Sequence, residues 1–328
     1  MTNLEYSFLV DELSPKITGK HFNRIKKLND GIYRMKIANY EILCELGVRI
    51  HLTKYIEQTS ETDKFTEKVA KELDNAKLLA ITQVNHDRIV LFDFDKAQLI
   101  FEMFSDGNAI LIRDGKTIAA VKYQSWTGRE IKSGSQYSPP KNIPTSGLEL
   151  SDRYVIVSLM KLPLGKDYVI EALSRAKIDE KKQGNQIDSS EKKKLEYELE
   201  KIKKETTPLL FVDGSKIIDY GLTPMSKYST FTIQESQTLS DAADEYYSKA
   251  EKLNPKLEKL LSRLEKQQER LMELLQEEKD FKANGDFIYA NYAIIENIIQ
   301  LATVGKFDEL NAQIDKKEKS VTVNQLTH

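Results

Sequence analysis

Residues 78–123 read LLAITQVNHDRIVLFDFDKAQLIFEMFSDGNAILIRDGKTIAAVKY, in which five apolar runs are separated by polar residues. The runs LLAITQV, RIVLFDF, AQLIFEMF, NAILIRD and TIAAVKY are rich in β-branched and aromatic side chains. Each has the length of one strand, and the breaks carry Asn, Asp, Gly or Lys, so the segment reads as a series of short strands. The same pattern holds upstream. HFNRIKKL and IYRMKI flank Asn29-Asp30-Gly31, a hairpin signal, and YEILCELGVRIHLT follows almost at once. Two helices interrupt the strands. Residues 3–14 place Leu4, Phe8, Leu9, Val10 and Leu13 at helical spacing, with Pro15 after the expected end. Residues 63–75, DKFTEKVAKELDN, form an amphipathic pattern that Asp63 is suited to cap.

Past residue 136 the composition changes. QYSPPKNIP carries three prolines and reads as a domain edge. Residues 150–225 read as helical: LMKLPLGKDYVIEALSRAKID suggests two helices around a Leu162-Pro163-Leu164-Gly165 turn, and SSEKKKLEYELEKIKK a charged helix capped by Ser189 or Ser190. From about 239, Leu253, Leu257, Leu260, Leu264, Leu271 and Leu274 alternate steps of four and three, with Gln267 in the missing place. That is a coiled-coil seam, ended by Asn284-Gly285. FIYANYAIIENIIQLA, apolar nearly all round, follows. The expectation is a multidomain α+β chain. It has a β-rich domain over 1–145, a helical domain over 146–238, a coiled-coil helix over 239–284 and further helices over 285–328. An uncovered leucine seam favours self-pairing, so a homodimer through the coil is expected.

Bulk properties narrow the function classes. The 328 residues carry a net charge of only −2, so attraction to nucleic acid has to come from local patches. Charged residues make up 30% and mean hydropathy is −0.49, as suits long solvated helices. Cys44 is the one cysteine, which rules out a disulfide framework and fits a reducing cytosol. MTNLEYSFLVDELS has three acids and no basic region, unlike a signal peptide. No apolar run approaches the ~18 residues that span a bilayer. A cytoplasmic protein without membrane association is expected.

No phosphate loop, dinucleotide fingerprint, nucleophile elbow or zinc-protease signature is present. His21, His51, His86 and His328 lack ligand spacing, so neither metal nor cofactor is expected. After Gly47, Arg49, His51 and Thr53 share one strand face, opposite Val48, Ile50 and Leu52. The apolar face reads as core, and the polar face offers Arg49 and His51 as RNA contacts. Arg129 and Lys132 are two further basic candidates. Asp87 and Arg88 open the strand RIVLFDF. Within the strand they would point to opposite faces, whereas a turn ending at Asp87 would present both on one rim. A turn Asp beside a surface Arg is the plain alternative, although Arg suits bidentate contact with phosphate or base. The Pro-x-Gly turn at 163–165 is compatible with a phosphate-binding helix-hairpin-helix and equally with an ordinary helical hairpin.

Taken in order, VDEL, ELGVRIHLT, NHDRIVLF, FSDGNAILIRD, REIKSGSQYSPP, TLSDAADEYYSKAE and NGDFIYANYAIIENII resemble the NFACT family of ribosome quality-control factors, also called fibronectin-binding protein A homologues. The resemblance implies an N-terminal domain similar in fold to that of formamidopyrimidine-DNA glycosylases, then a helix-hairpin-helix domain and a coiled coil. It implies binding to large ribosomal subunits obstructed by peptidyl-tRNA, and recruitment of aminoacyl-tRNA of the alanyl type. There the family supports an untemplated C-terminal tail, largely alanine in bacterial relatives. The family's Asp-Arg pair, needed for the tRNA work, falls on Asp87 and Arg88. A second family acid, Asp in relatives, falls on Glu5, which keeps the charge on a longer arm. Relatives continue past VTVNQLTH into a returning helix and a basic RNA-binding domain, so this chain is expected to lack that domain. The glycosylases use an N-terminal proline amine, whereas Thr2 and Asn3 follow Met1 here, which removes that chemistry. The expected role is therefore positioning, with peptide transfer left to the ribosome. A coiled-coil protein scaffold, a fibronectin-binding adhesin and a nucleic-acid enzyme are the rivals.

Overall fold

Thr2 starts the first helix. Its hydroxyl accepts from the Glu5 amide and the Glu5 carboxylate accepts from the Thr2 amide, a reciprocal capping box. The helix, α1 (Asn3–Ile17), buries Leu4, Tyr6, Leu9, Leu13 and Ile17. It therefore runs past its expected end at 14, with Pro15 inside its last turn. Proline removes a single amide donor there, and the fully buried Ile17 holds the final turn against the core.

The computed structural model describes residues 1–54, 61–140 and 147–248, with isolated positions 267, 270 and 300. Met1–Asn254 form one compact unit and Pro255–His328 another. Leu257, Leu260, Leu264, Leu271 and Leu274 of the expected seam, together with Leu253, lie outside the described residues.

The strands β1 (Phe22–Asn29), β2 (Ile32–Ile37), β3 (Tyr40–Glu45) and β4 (Arg49–Leu52) form an antiparallel sheet in sequence order. Asp30-Gly31 makes the first turn, with Gly31 at φ +72°, where L side chains are rare. Asp63 caps α2 (Lys64–Glu72) through a capping box with Thr66, as its position suggests.

The opening stretch folds as β5 (Leu78–Gln83), β6 (Ile89–Phe94), β7 (Gln98–Glu102), β8 (Asn108–Arg113) and β9 (Lys116–Ala120), a five-stranded antiparallel meander. Both of its faces are covered. Val90, Phe92, Leu99, Phe101, Ala109 and Leu111 join the main core, while Ile89, Ile100, Ile110 and Ile112 form a second cluster with Ile131. Ile131 belongs to a small hairpin, β10 (Gln124–Trp126) and β11 (Arg129–Ile131).

The following region holds α3 (Val155–Leu159), α4 (Lys166–Ala176) and α5 (Ser189–Lys204); α4 and α5 fall in the expected stretches, whereas α3 ends at Leu159, where the expected first helix begins. Asp188, not Ser189 or Ser190, caps α5: its carboxylate accepts from the Ser190 and Glu191 amides at 2.7 and 2.8 Å. A charged acceptor one residue earlier suits the positive helix end better than a hydroxyl. The helical expectation for 150–225 also fails beyond 208. There β12 (Leu209–Asp213), β13 (Lys216–Gly221) and β14 (Thr232–Glu235) form a sheet in the order β13-β12-β14. The Asp213-Gly214 step between LLFV and KIIDYG is the hairpin signal that the charged helix before it obscures. Residues 239–248 are helical and begin beyond Thr238, whose hydroxyl accepts from the Asp241 amide at 3.0 Å. One hydrophobic cluster runs from Leu4 through Tyr168 and Phe211 to Ala243, so the β-rich and helical parts share a core.

Candidate functional site

Between β5 and β6 the chain turns through a single 3-10 turn, Val84–His86. Asn85 and His86 both take positive φ, 54° and 53°, and Asn and His are among the residues that tolerate this best. The turn ends at Asp87, whose amide donates to the Val84 carbonyl at 3.0 Å, and β6 begins only at Ile89. Asp87 and Arg88 thus precede the strand and sit together on its rim, both half-buried.

The Asp87 carboxylate is fixed through one oxygen. Oδ1 accepts from the Arg88 amide at 2.7 Å and from Asn3 Nδ2 at 3.3 Å. Asn3 Nδ2 also donates to the His86 carbonyl at 2.9 Å, and Gln83 Nε2 donates to the Asn3 carbonyl at 2.8 Å. The Arg88 carbonyl accepts from the Met103 amide at 2.7 Å, which pins the rim to the end of β7. Among the described residues no acid forms an ion pair with the Arg88 guanidinium. An anchored carboxylate beside a cation with open donors is an arrangement that can read a polar, negatively charged partner. Asn3 was not singled out from sequence. It lies more than eighty residues from the turn it holds, and no local pattern marks it.

Glu5 stands elsewhere than expected. It is 6% exposed, and both oxygens are occupied, Oε2 by the Thr2 amide and Oε1 by the Tyr168 hydroxyl at 2.8 Å. The Tyr168 oxygen in turn accepts from the Leu222 amide at 3.1 Å. Burial pushes the Glu5 carboxyl above its ordinary range. Glu5 therefore clasps the start of α1 to α4 and β13, and Asn3, two residues earlier, is the part of α1 that reaches the rim. Gly165 in the 162–165 turn lies against Thr2: a Cβ there would come within 2.5 Å of the threonine Cβ.

The polar face of β4 is a second correction. Arg49 and His51 are 2% and 0% exposed, because residues 239–248 cover them. The Arg49 guanidinium sits 3.9 Å from the centre of the Tyr247 ring, and its Nε is 2.8 Å from Glu45. Thr53 donates to Asp244 Oδ1 at 2.7 Å, and the Lys54 amide to Oδ2 at 2.9 Å. His51 Nδ1 donates to the Leu52 carbonyl at 2.8 Å. These side chains seat a helix and are not available to RNA. Alternation shows that two faces differ, but not what covers the polar one.

Burial also pulls the His51 imidazole down to about 4 from 6.5, with Arg49 acting in the same direction and Asp244 and Glu12 opposing. The folded chain therefore binds fewer protons than the unfolded chain between those two pH values. Stability from this group is complete above about pH 6.5 and falls as pH drops toward 4, by up to about 3 kcal/mol. Glu5 works in the opposite sense, since its raised carboxyl makes protonation favour the fold. A His51→Gln variant keeps the Glu5 contribution, so its urea midpoint should fall less than that of the parent between pH 7 and pH 5. Equal slopes would refute a buried neutral His51.

Of the two remaining candidates, Lys132 is exposed, 3.9 Å from Glu130. Arg129 is largely enclosed and ion-paired with Glu102, which is 2% exposed. It lines a cleft of about 500 Å³ together with Glu102, Phe104 and Trp126.

The profile of the family described as NFACT N-terminal and middle domains matches residues 6–324. The archaeal Rqc2 homolog aRqcH of Methanocaldococcus jannaschii is 29% identical over 347 aligned positions, covering 91% of this chain and 51% of that protein. Ribosome quality control complex subunit 2 of Schizosaccharomyces pombe is 26% identical over 156 positions, covering 42% of this chain and 15% of its own. The human ribosome quality control complex subunit NEMF is 27% identical over 119 positions, 34% of this chain and 11% of its own. This chain therefore spans about half of the archaeal relative and less of the others. Among solved structures, the fibrinogen binding protein from Staphylococcus aureus superposes with a TM-score of 0.59 at 18% identity, over 75% of this chain and 98% of that one. The N-terminal part of the fibronectin/fibrinogen-binding protein from Streptococcus suis gives 0.55 at 21%, with the same coverage. At these identities the likeness is one of fold.

Proposed function

This chain belongs to the NFACT family, and from that premise we propose that it is a ribosome quality-control factor that holds tRNA on obstructed large ribosomal subunits. The observation that carries the reading is the Asp87–Arg88 rim. Its carboxylate is oriented by Asn3 and by the Arg88 amide, and its guanidinium is not answered by any acid among the described residues. Arg88 would pair with a phosphate or a base edge of the tRNA, and Asp87 would accept from a base amino group or a ribose hydroxyl. Family names support the pathway: relatives are subunits of ribosome quality control complexes. In this reading the partner is a large subunit carrying peptidyl-tRNA, and the incoming aminoacyl-tRNA is of the alanyl type. The protein orients, while the ribosome forms each peptide bond of the untemplated tail. The leucine seam would extend across the subunit as a coiled coil, and the 162–165 turn would act as a helix-hairpin-helix element.

The test is recovery of RNA with the protein from its native cytosol. An Asp87→Ala, Arg88→Ala double variant should fold, with stability within about 1 kcal/mol of the parent, because both side chains are half-buried and neither fills the core. It should still sediment with large subunits while tRNA recovery drops to background. Wild-type recovery of tRNA by the double variant would defeat the assignment.

A further inference from the structure

We propose that the cleft lined by Glu102, Phe104, Trp126 and Arg129 seats a single unpaired RNA base, stacked on Trp126. The inference deepens the RNA reading above and rests on it. Its starting point is continuity: the amide of Met103 bonds the Arg88 carbonyl at 2.7 Å, and the residues on either side of Met103, Glu102 and Phe104, line the cleft. The rim and the cleft are therefore tied to one another through a single backbone pair at the end of β7. The volume of about 500 Å³ lies within the roughly 300–1,000 Å³ usual for sites that enclose a small planar ligand.

Trp126 is the second observation. It is the one tryptophan of the chain, it lines the cleft, and it is 46% exposed. All three residues of its strand β10 are exposed, so the hairpin gains little packing from this ring. Trp126 is thus left about half exposed, with the Arg129 guanidinium over its ring. Exposed aromatic faces are what single-stranded nucleic acids use as platforms, because every base presents a π-face.

Charge decides between a base and a phosphate. The Arg129 guanidinium stands 5.2 Å from the centre of the Trp126 ring and 5.7 Å from that of Tyr137. Its Nε donates to the Ser138 carbonyl at 2.8 Å, and its charge is answered by the buried Glu102, which also accepts from the Tyr137 hydroxyl at 2.9 Å. With Arg129 set against Glu102 and Asp106, the lining carries one positive and two negative charges. A lining without net positive charge suits an uncharged base, whereas a phosphate needs net positive charge. Lys132, just past β11, is exposed and 3.9 Å from Glu130, and it does not line the cleft.

The sole tryptophan makes the test direct. The full chain is titrated at low salt with a labelled single-stranded RNA of about six nucleotides, a length within common single-strand site sizes, and with its duplex form. Saturable quenching of Trp126 fluorescence by the single strand, with little by the duplex, supports the inference. Anisotropy of the labelled RNA then gives affinity without relying on the tryptophan. Trp126→Leu should weaken single-strand binding about tenfold, the size of one lost stack, and Trp126→Tyr should recover most of it. RNA that binds with no quenching and is indifferent to Trp126→Leu overturns the inference, as does quenching by a proline-rich peptide and not by RNA. If the cleft fails while the Asp87→Ala, Arg88→Ala variant still loses tRNA, only this inference falls. If no RNA binds and wild-type protein recovers no tRNA, the proposed function falls with it.

Discussion

A Gly107→Ala chain is expected to lose about 2–5 kcal/mol of stability. Two components make up that figure. Gly107 sits at φ +61°, where an L side chain costs about 1–2 kcal/mol. In addition its turn, between β7 and β8, lies back to back with the turn between β3 and β4. A Cβ on Gly107 would stand 2.2 Å from the Gly47 nitrogen and 2.5 Å from the Leu46 carbonyl carbon, all backbone atoms that cannot swing aside. Forcing the two turns apart adds about 1–3 kcal/mol of overpacking strain. Gly47→Ala should behave alike, since its Cβ would come 2.3 Å from the Ser105 carbonyl oxygen. Gly19→Ala is the control: its φ is +80°, yet nothing lies within 4 Å, so only the conformational component remains. Urea midpoints followed by circular dichroism decide the matter. A Gly107→Ala midpoint no lower than that of Gly19→Ala would show that the two turns do not dock as described.

Arg129→Met should be at least as damaging, at about 3–5 kcal/mol, because it strands a buried carboxylate. Glu102 is 2% exposed, and without Arg129 its remaining side-chain partner is the Tyr137 hydroxyl. The cause is the desolvated charge and not the lost contact area, so removing the charge as well should restore the protein. In an Arg129→Met, Glu102→Leu chain most of the loss should be recovered, since apolar replacement of a buried pair is often near neutral. A thermodynamic cycle over the four chains measures this, with a coupling well above the ~0.5 kcal/mol expected of independent sites. Additive losses would mean that the pair is not coupled. The same experiment bears on the cleft, because Arg129 underlies Trp126 and the hairpin that carries it.

Much of the fold is written locally. The meander of residues 78–123 follows from alternation: Val90, Phe92, Leu99 and Phe101 fall on one face and Ile89, Ile100 and Ile110 on the other, without reference to any distant residue. Asp30-Gly31 and the Asp63 cap are legible for the same reason, since turn and cap chemistry depend on neighbours within a few residues. Local chemistry misleads where two signals compete. The lysine-rich helix ending at Lys204 carried the helical expectation across LLFVDG, although Asp213-Gly214 marks a hairpin.

The sequence by itself determined the strands of the first 120 residues, most helices and their turns, but it left Asp87 and Arg88 between a strand and a rim until the structure ended the turn at Asp87. It could not determine burial of polar groups, which depends on what packs against them. Arg49 and His51 alternate as a solvent-facing pair would, yet Asp244 and Tyr247, nearly two hundred residues later, close over them. Glu5 carries a charge suited to a ligand, yet Tyr168 claims it. Asn3 has no local mark at all, and only the meeting of α1 with the β5–β6 turn makes it the residue that orients Asp87. Propensity and periodicity act over a few residues, whereas desolvation and hydrogen-bond partnership are settled where remote segments meet, so only the tertiary structure decided which polar side chains are structural and which remain free to bind.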